Sequence, residues 1–260
     1  MSNEHSWSEL LKAAISERGL VMKAYSLFHS YSLGNQLAAM VQCHMRGIEP
    51  SPINTYQGWQ SLKRQVKKGE KALWLCMPLT SKRQNEAGED EKFITAFVWK
   101  PRWFCLSQTE GEPVEMPAIP SWDKETALAN LQITQIEFEK LNGNIQGYAK
   151  QRSIAISPIA ALPHKTLFHE LAHVVLGHTM ESDFQDDELT PSNLMEVEAE
   201  SVSLLLCESL ELSESEFCRG YIQHWLEGDG IPERSAQRIF GAADRILKAG
   251  QVTKDENSID

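Results

Sequence analysis

Residues 163–178 read PHKTLFHELAHVVLGH. A proline opens this apolar stretch and Gly177 closes it, which is the punctuation of a helix. Inside it stands His169-Glu170-Leu171-Ala172-His173. Residues four apart share one helix face, so both imidazoles reach a single cation while Glu170 stands beside it. Zinc lowers the pKa of a water it holds, and Glu170 is placed to take that proton as general base and pass it to a leaving amine. The neighbours Leu167, Phe168, Leu171, Ala172, Val174, Val175 and Leu176 are apolar. Burying two histidines and an acid among them without a metal is costly. The stretch predicts a zinc hydrolase of the HExxH type, with Zn2+ as cofactor and a peptide or protein as substrate.

A catalytic zinc takes a third protein ligand and keeps one position open. The best source is Glu196-Val197-Glu198-Ala199-Glu200, where Glu196 and Glu200 share a helix face and Glu198 faces elsewhere. We assign Glu196 to zinc and Glu200 to orienting a ligand histidine from behind; spacing alone also permits the reverse. His178 competes as third ligand. Leu176 and Thr179 stand where a metzincin carries glycine and histidine, so His178 reads as a loop residue near the site. His164 reads as a helix-start or surface residue, and Asp186, Asp187 and Glu188 as a solvated loop. The strand at 152–157, just ahead of the helix, is expected to hold a peptide by edge pairing.

Hydrophobic residues make up 42% of the 260 and charged residues 23%, the balance of a chain that buries an ordinary core. No apolar run is long enough to span a bilayer, and the N-terminal residues lack the apolar core of a secretory signal. Five cysteines without a CxxC pair argue against a disulfide framework and against cysteine-bound zinc, and place the chain in a reducing cytoplasm. The net charge of -11 is uneven. Residues 1–120 carry 14 Lys and Arg against 12 Asp and Glu, while residues 121–260 carry 11 against 24. That shift suggests two units with different partners. The proline-rich run EPVEMPAIPSWD places the boundary near residue 117.

The pattern before the boundary is mixed. Leu10, Leu11, Ala14 and Ile15 recur at helix spacing, as do Leu33, Leu37, Met40 and Val41. Two strand-like runs, KALWLCMPL and KFITAFVWKPRWFCLSQ, flank a polar connection. After the boundary we expect a helix over 123–141, two short strands, the HExxH helix, an acidic loop at 181–190, a helix from Ser192 and two more around 214–227 and 232–249. The fold class is therefore α+β. A small N-terminal α+β domain (1–117) precedes a mainly helical domain with a short sheet (118–250) and a frayed tail (251–260).

Lys63, Arg64, Lys67, Lys68 and Lys71 cluster just after Tyr56 and Trp59. Cations that follow phosphates and rings that stack on bases suit single-stranded nucleic acid. Trp74, Trp99 and Trp103 on the following strands would extend such a platform.

These stretches resemble a family. YSLGNQLAAMVQ, INTYQGWQSLKRQVKKGEKALWL and FCLSQTEGE are similar to the N-terminal domain of ArdC-type antirestriction proteins. That domain carries an asparagine-bearing helix, a T-x-x-x-W segment, a V-x-K-G-E-K turn and a strand ending in Q-x-x-G. The second half resembles the zincin-like metallopeptidase domain of the same proteins and is similar to ImmA/IrrE-type peptidases. The resemblance implies a first domain that binds single-stranded DNA, a mobile-element setting and protection of incoming DNA from restriction. It implies His169, His173 and Glu196 as zinc ligands and Glu170 as the catalytic glutamate. Two other functions fit the same residues: a non-catalytic DNA-protection protein with structural zinc, and a regulatory peptidase that cleaves a repressor.

Overall fold

The computed structural model describes residues 6–84, 90–115, 118–139, 145–179, 192–226 and 230–252. The boundary at 117, the acidic stretch 181–190 and the tail from 253 lie outside the described residues.

Three helices open the chain: α1 (Trp7–Ser16), α2 (Leu20–Phe28) and α3 (Leu33–Arg46). The apolar spacing read for α1 and α3 becomes their buried face, with Leu10, Leu11, Ala14, Ile15, Leu33, Leu37 and Met40 all buried. Gly47 ends α3 in the left-handed conformation, φ +62°. Next come β1 (Ile53–Thr55), α4 (Tyr56–Ser61) and β2 (Arg64–Val66). The strands β3 (Leu73–Gln84) and β4 (Asp90–Cys105) form a long antiparallel ribbon, and β5 (Thr109–Gly111) returns against β2. β3 continues past Leu79, where the run read from sequence stops, and β4 starts two residues before its run but ends at Cys105, short of Gln108.

The main sheet runs β1-β4-β3, which leaves β3 with an open edge. An open edge invites mispairing unless something covers it. Here α3 covers it with two amides. Asn35 Nδ2 donates to the Cys76 carbonyl at 2.8 Å while its Oδ1 accepts from the Cys76 N–H at 2.8 Å. Gln42, two turns on, does the same at Trp74, donating at 2.8 Å and accepting at 2.9 Å.

The second half holds β6 (Ser121–Trp122), α5 (Lys124–Leu131), β7 (Thr134–Gln135), β8 (Gly147–Lys150) and β9 (Ser153–Ile156). Four elements follow: α6 (Pro163–Leu176), α7 (Ser192–Ser209), α8 (Ser215–Leu226) and α9 (Glu233–Gly250). The helix expected over 123–141 is shorter. Gln132 turns left-handed at φ +55°, the Ile133 N–H bonds back to Leu128, and Thr134–Gln135 leave to pair with β9. Two residues of the expected tail form β10 (Gln251–Val252), which pairs with β6.

The α7 helix is central. Every residue from Val197 to Ser209 is buried, including three glutamates and three serines. A helix buried all round shows no amphipathic stripe. Small residues let its partners close in; Ser203 Oγ donates to the Lys165 carbonyl of α6 at 3.0 Å. The α9 helix ties the two halves together. Glu233 at its start accepts the N–H groups of Trp7 and Ser8 at 2.8 and 2.9 Å. Asp244 accepts the Leu33 N–H at the start of α3 at 3.2 Å. The buried side chains of α1–α3 and α6–α9 form one continuous cluster.

The sheet β7-β9-β8 corrects one expectation. β9 is its central strand, and Ala155 is fully buried. Residues 152–157 therefore offer no open edge to a peptide. The outer edge beside α6 belongs to β8.

Candidate metal centre

α6 and α7 lie against each other and bring three donors to one point. His169 Nε2 and His173 Nε2 are 3.1 Å apart. Glu196 of α7 approaches both, with Oε2 3.4 Å from His169 Nε2 and Oε1 3.6 Å from His173 Nε2. Donors on a tetrahedral cation with bonds of about 2.0–2.1 Å stand roughly 3.3–3.4 Å from each other. The spacing and the two-imidazole, one-carboxylate set fit such an ion, and among the described residues this is the cluster that does. His169, His173 and Glu196 are the residues that would hold it.

Glu200 is one turn further along α7 and meets the back of the site. Its Oε2 lies 3.0 Å from His169 Nδ1, and Lys165 Nζ bonds the same carboxylate at 2.7 Å. A carboxylate behind the ring leaves Nδ1 as donor and turns the Nε2 lone pair to the site. His178 is not part of the ligand cluster: its Nδ1 is 3.0 Å from His173 Nδ1, and its Nε2 is 2.9 Å from Glu198 Oε2. Glu198 faces away from the metal point as expected, yet it is wholly buried and bonded, a role that helix spacing alone does not reveal. His164, by contrast, is an exposed partner of Glu214 at 3.1 Å.

The charges follow the contacts. Burial works against a charged His169, but the hydrogen bonds to Glu196 and Glu200 outweigh it and raise its pKa to about 9. The imidazoles of His169 and His173 beside it hold the Glu196 carboxyl well below its ordinary value. Burial opposes ionisation of Glu200, but its bonds to His169 and Lys165 win and lower its pKa. Glu170 behaves differently: burial dominates, and its pKa is raised. A buried acid that resists ionisation beside a metal point is the pattern of a proton carrier.

Glu170 faces a cleft of about 420 Å³ lined by Gln146, Gly147, Leu162, Lys165, Thr166 and His169, among others. Gly147 makes this approach possible. A Cβ there would fall 3.0 Å from Glu170 Oε1 and 2.7 Å from Thr166 Cγ2. Tyr221, exposed on α8, has its phenol pKa raised by desolvation and then by the charges of Glu196 and Glu200. Neither Gly147 nor Tyr221 stands out in the sequence, because each acts through proximity across the fold.

The basic segment divides. Tyr56 is exposed, as are Lys63, Lys67, Lys68 and Lys71. Trp59 is not a stacking platform: it is 2% exposed, and its indole N–H donates to the Phe104 carbonyl at 2.9 Å. Arg64 is half-buried and bonded to its own fold. Its guanidinium donates to Thr109 Oγ1 at 2.8 Å and to the carbonyls of Thr109, Gly111 and Glu112, stitching β2 to β5. Trp74 keeps an exposed face, whereas Trp99 packs at 5.2 Å from Trp7 and Trp103 lies against the core. Gly111 has φ +134°, and a Cβ there would strike the Lys63 carbonyl at 2.4 Å, so this turn requires glycine.

Comparison with known proteins agrees with this layout. Residues 4–115 match the family model of the N-terminal domain of anti-restriction factor ArdC. The chain is 26% identical over 231 residues to the uncharacterized protein y4eC of Sinorhizobium fredii, covering 81% of this chain and 73% of that one. Two solved structures share the fold. The metal-free crystal structure of the antirestriction protein ArdC from plasmid R388 matches with a TM-score of 0.51 at 22% identity, covering 94% of both chains. The Mn(II)-bound structure of the same protein matches with a TM-score of 0.54 at 18% identity, covering 94% of this chain and 97% of that one. Among the described residues no helix is long and apolar enough to cross a membrane.

Proposed function

We propose that this chain is an antirestriction protein of the ArdC type, binding single-stranded DNA through its N-terminal unit and hydrolysing peptide bonds at a divalent metal centre, with zinc as the cation. The observation that carries the enzymatic part is the meeting of His169, His173 and Glu196 at tetrahedral spacing beside the buried Glu170. The N-terminal match to ArdC and the Mn(II) held by a protein of the same fold support the setting and the class of ion.

The cation, when bound, supplies a Lewis acid that polarises a scissile carbonyl and acidifies water. Glu170 takes the proton from the attacking water and returns it to the leaving amine; its raised pKa suits both transfers. Glu200, held by Lys165, keeps His169 in the ligating tautomer. The substrate lies in the cleft between β8 and α6. In the β8–β9 ladder Ser157 N–H bonds to Gln146, so Gln146, Tyr148 and Lys150 pair inward. Gly147 and Ala149 then turn their N–H and C=O groups outward, where an extended peptide can add.

A structural zinc site closes itself with four protein donors. Here the described residues bring three, next to an open cleft, which favours catalysis over a purely structural ion. For DNA, Lys63, Lys68 and Lys71 supply phosphate contacts and Tyr56 a stacking face, with Trp74 close to Lys71, while Lys67 is tied to the Ser107 carbonyl.

Glu170→Gln tests the enzymatic reading. It is expected to keep metal content and the unfolding midpoint while peptide hydrolysis falls by about 100-fold or more. Full antirestriction activity in that variant would mean that hydrolysis is not what the protein contributes.

A further inference from the structure

The two ligand histidines are supported differently. Behind His169 stands a carboxylate. Behind His173 stands another imidazole, His178, with Glu198 behind that and Arg238 of α9 at the end. The middle of this row is dry: side-chain exposure is 3% for His178 and 0% for Glu198. We propose that His178, Glu198 and Arg238 form a relay that fixes the tautomer of His173 and so keeps a lone pair, rather than a hydrogen, on the Nε2 that faces the metal point; this rests on the metal-centre reading above.

The assignment follows from counting hydrogens. A carboxylate only accepts, so the His178 Nε2 at 2.9 Å from Glu198 Oε2 carries a hydrogen. With that hydrogen directed at Glu198, the ring turns the lone pair of Nδ1 toward His173. Only one hydrogen fits between the two Nδ1 atoms at 3.0 Å, so it belongs to His173. His173 Nε2 is left with its lone pair directed at His169 Nε2 and Glu196. Arg238 balances the Glu198 charge, with Nη1 at 3.4 Å from the carboxylate and Nη2 donating to the Leu176 carbonyl at 2.8 Å. Were His178 to carry hydrogens on both nitrogens, His173 Nδ1 would have to accept and its Nε2 would aim an N–H at the metal point.

Gly177 sets the length of this relay. It ends α6 at φ +80°, and the His178 N–H bonds back to the His173 carbonyl at 2.9 Å. That tight cap folds His178 under the ring of the ligand that precedes it by five residues. His178 is thus a positioning residue, acting through His173 rather than on substrate.

The test uses the full chain and two cations, Zn2+ and Mn2+, added alone. Affinities are measured by competition with a chromophoric chelator, for the wild type, His178→Ala, His178→Asn and Glu198→Gln. Imidazole tautomers are read by nitrogen–proton correlation NMR of the Zn2+-loaded wild type. The relay predicts Nδ1–H on His173 and Nε2–H on His178. It predicts a roughly 10- to 100-fold loss of Zn2+ affinity in His178→Ala, the range typical of an outer partner of a ligand. His178→Asn, whose amide oxygen keeps an acceptor near Nδ1, recovers part of that loss. Should His178→Ala fail to fold, Glu198→Gln keeps volume and a partner for the ring and still weakens binding. Unchanged affinity in the folded variants, or the opposite tautomer on His173, overturns the relay while leaving the metal centre standing. A wild type that takes up neither cation overturns both.

Discussion

In the metal centre the polar side chains bond chiefly to one another; in the basic segment and its surroundings they bond chiefly to backbone. His169, His173, Glu196, Glu200, His178 and Glu198 form side-chain pairs that converge from α6 and α7. Trp59, Arg64, Asn35 and Gln42 hold carbonyls or N–H groups of β3, β4 and β5 in place, and Lys67 holds the Ser107 carbonyl between β4 and β5. Most side-chain hydrogen bonds in proteins go to backbone and serve the fold. A network of ionisable side chains that meet at one point is the exception, and it is the candidate site here. The difference teaches where to look for DNA contacts: in the lysines that the fold leaves exposed, not in the indole of Trp59 and the guanidinium of Arg64 that it uses.

The most direct way to break this contrast is Trp59→Ala. If Trp59 is a structural anchor, the variant loses about 3–5 kcal/mol, as aromatic truncations in cores do. Urea unfolding followed by fluorescence measures it. A well-folded Trp59→Ala protein with weakened DNA binding would instead return Trp59 to the nucleic-acid surface. Asn35→Ala follows. It leaves both main-chain groups of Cys76 without their partner on an otherwise open strand edge, and about 1–3 kcal/mol is expected from the same measurement. The variant should also aggregate sooner on heating, since β3 regains a free edge.

These two residues also show what is legible in sequence. The HExxH helix carries its own register, so the shared face of His169 and His173 follows from counting residues. Glu196 and Glu200 are likewise one turn apart, yet which one meets the two Nε2 atoms depends on how α7 lies against α6, and that lies in no local pattern. The Asn35, Trp59, Gln108 and Gly111 signature is visible as a motif, but its meaning is long-range. Gln108 accepts from the Cys105 N–H at 2.9 Å and donates to Glu70 at 2.7 Å, bonds that close only after the strands have formed. The central place of β9 is hidden for a similar reason. The two-residue partner strand β7 sits where the sequence continues a helical pattern until Gln132 turns.

The two regions also differ in their response to pH. Without metal, His169 has a pKa raised from 6.5 to about 9, because its bonds to Glu196 and Glu200 outweigh burial. The metal needs the Nε2 lone pair, so binding expels that proton below pH 9. Zn2+ affinity is expected to climb with pH by at most about tenfold per unit and to level off above about 9. Stability of the metal-free chain runs the other way. A raised histidine pKa contributes stability that is full below 6.5 and is lost as pH rises through 9. Chelator competition and unfolding midpoints across pH 6–10 test both slopes. Backbone carbonyls do not titrate, so the contributions of Trp59 and Asn35 should be flat over this range.

The smallest effect on stability, and the most selective on function, is expected from the exposed cations. Lys63, Lys68 and Lys71 are exposed, while Lys67 Nζ donates to the Ser107 carbonyl at 2.9 Å. Changing Lys63, Lys68 and Lys71 to Glu should move the unfolding free energy by no more than about 0.5 kcal/mol per site, as surface changes do. Single-strand affinity should fall. The slope of its logarithm against the logarithm of salt concentration should flatten by about 0.7 for each phosphate no longer neutralised. Arg64→Glu is the contrast within the same segment. It removes the guanidinium's clamps on backbone carbonyls, so its first effect is unfolding of the β2–β5 pair, and any fall in DNA affinity follows from that. If the lysine changes unfold the protein, or if Arg64→Glu weakens DNA binding while stability holds, the division between residues that build the surface and residues that meet the phosphates is drawn in the wrong place. Metal content of the triple lysine variant supplies the last check. The candidate metal donors sit on α6 and α7, so its Zn2+ uptake should equal that of the wild type.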